Sequence, residues 1–152
     1  MDVRTLLGLW EGTRASTRKL AEAIPAGKEG FRPAEGAMPM AAHVLHIASA
    51  DKTAIDAFTV TPGQWEWNTG IDLEHYPTVK DVVAILDQQT EATRKYLTGL
   101  KDVDLARKIK LPWGDQWTLE QFWAEWLIHE AHHRGSLITS LRVAGVEPPK
   151  VY

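Results

Sequence analysis

Two of the six histidines lie four residues apart at positions that a helix would turn toward the protein core. His129 and His133 continue an apolar stripe that contains Trp126 and Leu137, and at helical spacing their imidazoles project from one face. Buried neutral imidazoles need partners for their ring nitrogens, and one metal ion satisfies two lone pairs at once. The spacing therefore favours a metal site over a pair of core histidines bonded to side chains or water.

The same segment fits the H-E-x-x-H pattern of zinc hydrolases, in which Glu130 would be the general base. The longer metzincin pattern fails because Ser136 and Thr139 stand where its glycine and third histidine belong. Further along the chain the only acidic residue is Glu147, which follows the expected end of the helix. A metallopeptidase is therefore the less favoured interpretation, and a third metal ligand must come from upstream.

The upstream candidates are His43 and His46, which lie on a helix that a bundle can place opposite the first pair. Periodicity does not choose between them, because this helix has one bulky apolar face and a second face of small residues that includes His46. Glu130 and His132 lie about 80° to either side of the His129 and His133 direction. Each of these two is expected either beside the ligands or in solvent.

Four segments have helical periodicity, and glycine and proline residues separate them. The sequence therefore predicts an all-α four-helix bundle that forms a single domain over residues 1–152. A small β-hairpin is expected before the fourth helix, where Lys108–Leu111 alternates polar and apolar residues. The connections are long enough for crossovers, so parallel neighbouring helices are allowed. The expected helices run from about Val3 to Ile24, Met38 to Phe58, Thr78 to Leu100 and Thr118 to Ala144.

Composition excludes several classes of function. The 152 residues carry 17 basic and 20 acidic side chains, for a net charge of -3, without a basic stripe, so no nucleic-acid partner is expected. The absence of cysteine removes thiolate metal ligands and a protein thiol nucleophile. Neither a signal peptide nor an apolar membrane span is recognisable, so we expect a cytoplasmic protein with no membrane partner.

Seven tryptophans and one helical glycine also lead to expectations. Trp10, Trp123 and Trp126 lie on helical stripes and are expected in the core or at an interface. Trp65, Trp67 and Trp113 fall in connections, and they would line a pocket if those connections lean over the metal site. Gly135, inside the fourth helix, indicates the close approach of another helix.

Four runs of residues resemble the DinB family in the right order over nearly the whole chain. The H-x-x-H-H-R-G run at 129–135 is the most specific of them. The runs are Ile24–Pro25 with Phe31–Pro33, then His46–Asp51, then Leu111–Gly114, then His129–Leu137.

The resemblance implies a four-helix bundle with long crossovers, usually a homodimer, and a divalent metal held by one histidine of helix two and two of helix four. His46, followed by Ile47 and Asp51, fits the family pattern better than His43. The implied metal ligands are therefore His46, His129 and His133, and His132 is not a ligand. Ser136 departs from the family, whose members often have glutamine at this position.

The resemblance also implies an activity. Family relatives with assigned activities are metal-dependent transferases or isomerases that use low-molecular-weight thiols, so a small-molecule thiol is the expected partner. Nickel or zinc is the expected metal, because both suit imidazole ligands. The alternative is a non-catalytic stress-response dimer whose metal is structural. The number of protein ligands distinguishes the enzyme from the structural alternative, since a catalytic metal keeps one coordination position open.

Overall fold

The computed structural model describes residues 1–151 and contains four α-helices, a short 3-10 helix and a two-stranded antiparallel sheet. The expected all-α four-helix fold with a small hairpin before the last helix is confirmed. The 3-10 helix, Asp102–Ala106, was not predicted. The helices are α1 (Val3–Glu22), α2 (Met40–Thr59), α3 (Val79–Thr98) and α4 (Leu119–Val143), and the strands are β1 (Lys108–Lys110) and β2 (Gln116–Thr118).

Helices α3 and α4 begin at capping boxes. At α4, Thr118 Oγ1 accepts a hydrogen bond from the backbone N–H of Gln121 at 3.1 Å, and the Gln121 side chain accepts from the backbone N–H of Thr118 at 2.9 Å. Thr78 and Asp81 form the equivalent pair at α3. Each box satisfies two N–H groups that the first turn leaves unpaired.

Helix α2 begins two residues later than predicted. Pro39 is its N-cap and has an extended backbone (ψ 147°), while the backbone N–H of Met40 donates to the Phe31 carbonyl at 2.8 Å. These contacts keep Met38 in the connection between α1 and α2. Helix α1 ends at Glu22 rather than Ile24, because the N–H groups of the next two residues bond to carbonyls three positions back, as in a 3-10 turn.

The helices form an arrangement in which α1 and α2 lie diagonally opposite and each packs against both α3 and α4. Helix α1 runs parallel to α4, and α2 runs antiparallel to α4. Helix α1 is antiparallel to both α2 and α3, so α2 and α3 are parallel neighbours. Because α2 and α3 run in the same direction, the connection between them, residues 60–78, crosses the full length of the bundle. The pairs that set these directions are Met1–Glu120, Thr17–Glu130, His43–His133, His46–His129, Arg14–Thr90 and Arg18–Asp87.

Two apolar clusters fill the two ends of the bundle. Leu20, Met40, Val82 and Leu137 belong to one cluster, and Leu6, Leu97, Leu119 and Trp123 belong to the other. The expected burial of Trp10 and Trp123 is confirmed. Buried polar side chains from all four helices occupy the middle layer between the clusters. Within residues 1–151 no helix is long and apolar enough to cross a membrane.

Candidate metal centre

The structure brings together His46 of α2 with His129 and His133 of α4. Each of the three side chains offers one ligand atom, and these atoms all lie within 4.8 Å of one another. The Nε2 atoms of His46 and His129 are 3.0 Å apart. Nitrogens that share one ion at about 2.0–2.1 Å lie about 3.0–3.4 Å apart, so the cluster fits a single metal ion. The assignment of these three residues as ligands stays a prediction.

The three imidazoles are neutral at neutral pH. Burial lowers the pKa of His129 to about 4 and that of His133 to about 3, and it also lowers the pKa of His46. Neighbouring imidazoles, His46 among them, add to the effect at His129 and His133, because like charges close together are disfavoured. Neutral imidazole is the form that binds metal, so the site is prepared for a cation.

Helix α2 can present His46 because both of its faces are covered, one side by α3 and the other by α4. The face of small residues, on which His46 lies, meets the α4 histidines. The centroids of the His46 and His133 rings are 4.6 Å apart, and those of His129 and His133 are 4.7 Å apart. A bulky residue on this face of α2 would keep the rings from approaching.

His43 lies behind His133. Its Nδ1 is 3.0 Å from Nδ1 of His133, and its ring is buried. Because Nδ1 of His133 faces His43, Nε2 is the nitrogen of His133 that remains for a metal ion. His132 is exposed and lies outside the cluster, with its ring centroid 5.2 Å from that of His133. Sequence reasoning considered His43 only as a rival ligand and missed its contact with His133.

Glu130 is buried and paired rather than solvated. Arg14 of α1 donates to both of its carboxylate oxygens, from Nε and from an Nη atom, at 3.0 Å each. Thr17 donates its hydroxyl to the same carboxylate at 2.5 Å. Of the two alternatives for Glu130, beside the ligands or in solvent, the structure excludes solvent, because α1 packs over this face of α4. The engaged carboxylate is also unsuited to act as a hydrolase base.

Asp51 joins the same buried network. One of its oxygens accepts from Arg14 at 2.7 Å and from the Thr93 hydroxyl at 2.9 Å, and the other accepts from Trp126 Nε1 at 2.9 Å. The Trp126 ring lies 5.2 Å from the His129 ring, centroid to centroid, at an angle of 30°. Through Trp126 the network therefore contacts the histidine cluster.

The network contains one buried arginine and two buried carboxylates. Burial opposes the charge of Arg14, but Asp51 and Glu130 raise its pKa above the ordinary value, so the guanidinium remains charged. Sequence reasoning placed Arg14 among the charged residues off the apolar stripe and missed its burial, although it follows Trp10 by four residues and precedes Thr17 by three on the buried stripe of α1. That spacing is the signal by which it could have been found.

A groove of about 550 Å³ opens beside the cluster, between α4 and the connection from α1 to α2. It is lined by Met38, His43, His132, Gly135, Ser136 and Thr139, among others. A Cβ atom added to Gly135 would meet no atom within 4 Å. The expected close approach of a helix at Gly135 is therefore wrong within this chain, since the groove occupies that side of α4.

The loop tryptophans do not line this groove. Trp65 and Trp67 stack on each other with ring centroids 6.1 Å apart, while Trp113 packs against Trp117 of the hairpin. Trp65 contacts Phe122, which stacks on Trp126 with centroids 4.4 Å apart. The tryptophan beside the histidines is thus Trp126, and the structure does not place Trp113 there.

Arg134 donates to the backbone carbonyl of Thr13 at 3.2 Å. The bond joins α4 to α1 close to the position where Arg14 meets Glu130. Arg134 therefore links the two parallel helices and does not form an ion pair there.

Residues 9–137 match the sequence profile of the DinB superfamily, and the chain therefore belongs to that superfamily. The resemblance found in the histidine-containing runs is thereby confirmed. No curated protein matches the chain.

Solved structures share the fold over nearly the whole chain. A DinB-like protein from Bacillus cereus is 22% identical, with a TM-score of 0.80, and the match covers 99% of this chain and 98% of that one. The DinB-like protein YjoA from Bacillus subtilis is 24% identical, with a TM-score of 0.75 and 97% of each chain covered.

A third structure, YfiT from Bacillus subtilis, is described as a probable metal-dependent hydrolase with an unusual four-helix bundle topology. It is 15% identical, with a TM-score of 0.76, and the match covers 95% of this chain and 89% of that one. At these identities the three structures establish the fold.

Proposed function

We propose that this protein is a metal-dependent enzyme that uses a low-molecular-weight thiol in a transfer or isomerisation reaction. His46, His129 and His133 hold one divalent ion in this proposal, with nickel or zinc as the metal because both suit imidazole. The observation that carries the proposal is the cluster of three ligand atoms within 4.8 Å of one another. The metal dependence ascribed to YfiT, which has the same fold, supports it.

The number of ligands favours a catalytic metal. Within residues 1–151 the cluster consists of three histidines. Asp51 and Glu130, the buried carboxylates nearest to them in sequence, are both engaged by Arg14. Three protein ligands with a further coordination position free is the arrangement of catalytic zinc sites, whereas structural sites have four protein ligands.

The chemistry requires no cysteine. A divalent ion lowers the pKa of a thiol that binds it, so a thiolate nucleophile forms at neutral pH in a chain that has no thiol of its own. The chain's own residues position the reaction: His43 contacts His133, and Trp126 flanks His129. The groove beside His43 is large enough to hold a small second substrate.

The same experiments also distinguish this proposal from two other functions. YfiT's description favours a hydrolase, in which water replaces the thiol, although Glu130, the base of the H-E-x-x-H pattern, is paired with Arg14. The other is a stress-response dimer with a structural metal. Our proposal places the enzyme in the cytoplasm as a homodimer, with a small-molecule thiol as its partner.

Metal analysis of protein purified without an affinity tag tests the site. We expect one divalent ion per chain, lost in His129→Ala and His133→Ala and retained in His132→Ala. His132 is the matched control because it lies next to His133 in sequence but outside the cluster. Loss of the metal in His43→Ala, together with its retention in His46→Ala, would show that the α2 ligand is wrongly assigned.

Optical spectra of the cobalt-substituted protein test the thiol. Adding 2-mercaptoethanol should change the ligand-field bands of the wild type, while metal-free His133→Ala protein gives no such bands. A centre that responds to azide but not to thiols supports the hydrolase. A centre indifferent to both, at saturating concentrations, contradicts the enzyme and supports a structural metal.

A further inference from the structure

His43 lies between His133 and the groove, so its two ring nitrogens have different surroundings. Nδ1 is 3.0 Å from Nδ1 of His133. His43 is only 7% exposed, and it lines the groove. In the part of the chain that the structure describes, the contact with His133 is the one hydrogen bond of this ring. Nε2 of His43 is therefore the nitrogen that is free to serve the groove.

The direction of the bond between the two rings follows from the proposed metal site. A neutral imidazole has one N–H group, and a bond between two Nδ1 atoms contains one hydrogen. If His133 binds a metal through Nε2, its own hydrogen must be on Nδ1, which makes His133 the donor. His43 then accepts at Nδ1, and its hydrogen is on Nε2.

The hydroxyl groups of Ser136 and Thr139, which line the groove, are available as acceptors. The hydroxyl of Ser136 donates to the His132 carbonyl at 3.3 Å, and that of Thr139 donates to the Gly135 carbonyl at 3.1 Å. Since these hydroxyl hydrogens are used within α4, the hydroxyl oxygens remain as acceptors. The Nε2–H of His43 is thus the buried donor of a groove whose hydroxyls accept.

We propose that His43 is a positioning residue with two roles: its Nδ1 orients the metal-binding ring of His133, and its Nε2–H donates to a ligand in the groove. The ligand class is a small molecule with a carbonyl or carboxylate oxygen directed at His43 and N–H or O–H groups directed at Ser136 and Thr139. This inference rests on the proposed metal site, so its test begins with wild-type metal binding.

Two variants separate the two roles. His43→Asn places an amide near the position of Nδ1 and keeps an acceptor for His133, whereas His43→Gln places it near the position of Nε2 and loses that acceptor. Calorimetric titration with zinc should give an affinity close to wild type for His43→Asn and one weaker by about 10–100-fold for His43→Gln. Equal affinities in the two variants overturn the positioning role, whereas a wild type that binds no zinc overturns the metal site itself.

Nitrogen-15 NMR of the zinc-loaded wild type tests the hydrogen positions without any variant. We expect the His43 resonances of a ring protonated at Nε2 and those of His133 protonated at Nδ1. The opposite tautomer at His43 overturns the inference. Acetate then serves as the carboxylate probe: it should shift the His43 Nε2–H proton, and an unchanged resonance in molar acetate overturns the groove assignment.

Discussion

Arg14 and Glu130 form a buried two-point ion pair in which both carboxylate oxygens lie 3.0 Å from guanidinium nitrogens. Glu130 follows His129 directly in sequence, yet it turns toward α1 while His129 turns toward α2. The α4 helix thus has one face that carries the histidines and another face that is paired with α1. The ion pair also ties the helix that carries two of the histidines to the opposite side of the bundle.

Removing Arg14 should be strongly destabilising. Arg14→Met leaves two buried carboxylates without their counter-ion, and breaking such a pair costs about 3–5 kcal/mol. Urea unfolding of the metal-free protein measures the loss. Arg18→Met is the matched control, because Arg18 pairs with Asp87 and Glu22 at the surface and its loss should cost at most about 1 kcal/mol. Equal losses in the two variants would contradict the structural role of Arg14.

The local features of the fold could be predicted because they depend on a few neighbouring residues. The capping boxes at Thr78 and Thr118 and the one-turn spacing of His129 and His133 are of this kind. The connection over residues 60–78 was predicted only as long, since its path depends on the packing order of the helices.

The rest of the site depends on register between helices, which periodicity does not contain. Nothing local to His43 shows that its ring meets His133, and nothing local to Asp51 shows that it meets both Arg14 and Trp126. The wrong expectation at Gly135 and the open alternatives at Glu130 have the same origin. The pattern of α4 alone shows neither the groove beside Gly135 nor the packing of α1 over Glu130.

Gly135 and Gly145 should respond to alanine in opposite directions. Gly135 lies within α4 beside open space, so Gly135→Ala should stabilise the protein by about 1 kcal/mol through helix propensity. Gly145 follows the end of α4 with φ at +83°, where a side chain is strained, so Gly145→Ala should destabilise by about 1–2 kcal/mol. Thermal unfolding measures both. A destabilising Gly135→Ala would indicate that something packs against this side of α4.

The homodimer stays a prediction, and exposed apolar side chains on α1 and α4 offer a way to test it. Leu9 of α1 and Ile128 of α4 are 53% and 60% exposed on neighbouring parallel helices. Light scattering should give about twice the chain mass of 17.0 kDa, and Ile128→Glu should give the monomer. Val103→Glu is the control, because Val103 is 76% exposed on the 3-10 helix and should leave the dimer intact. A wild type of 17.0 kDa would contradict the dimer.

The metal-free protein should lose stability as the pH falls below about 6.5. The folded state keeps the pKa of His129 at about 4 and that of His133 at about 3, because burial disfavours their charged forms, whereas both titrate near 6.5 when unfolded. Below 6.5 the unfolded chain therefore binds protons that the folded chain does not, and the free energy of unfolding decreases until the pH reaches the folded values. Urea unfolding at neutral pH and near pH 5 measures the loss in a range where carboxylates ordinarily remain ionised.

The variants His129→Gln and His75→Gln identify the histidines responsible for this loss. His129→Gln should reduce it, because the variant removes one of the groups that resist protonation. His75 is exposed, and its hydrogen bond with Asp72 raises its pKa. Its contribution to the free energy of unfolding therefore has the opposite sign. This contribution is fully present below pH 6.5 and is lost as the pH rises through the folded pKa of His75. His75→Gln should therefore leave the loss in place or enlarge it slightly. Wild-type protein with the same urea midpoint at both pH values would show that the histidine cluster is not held neutral by burial.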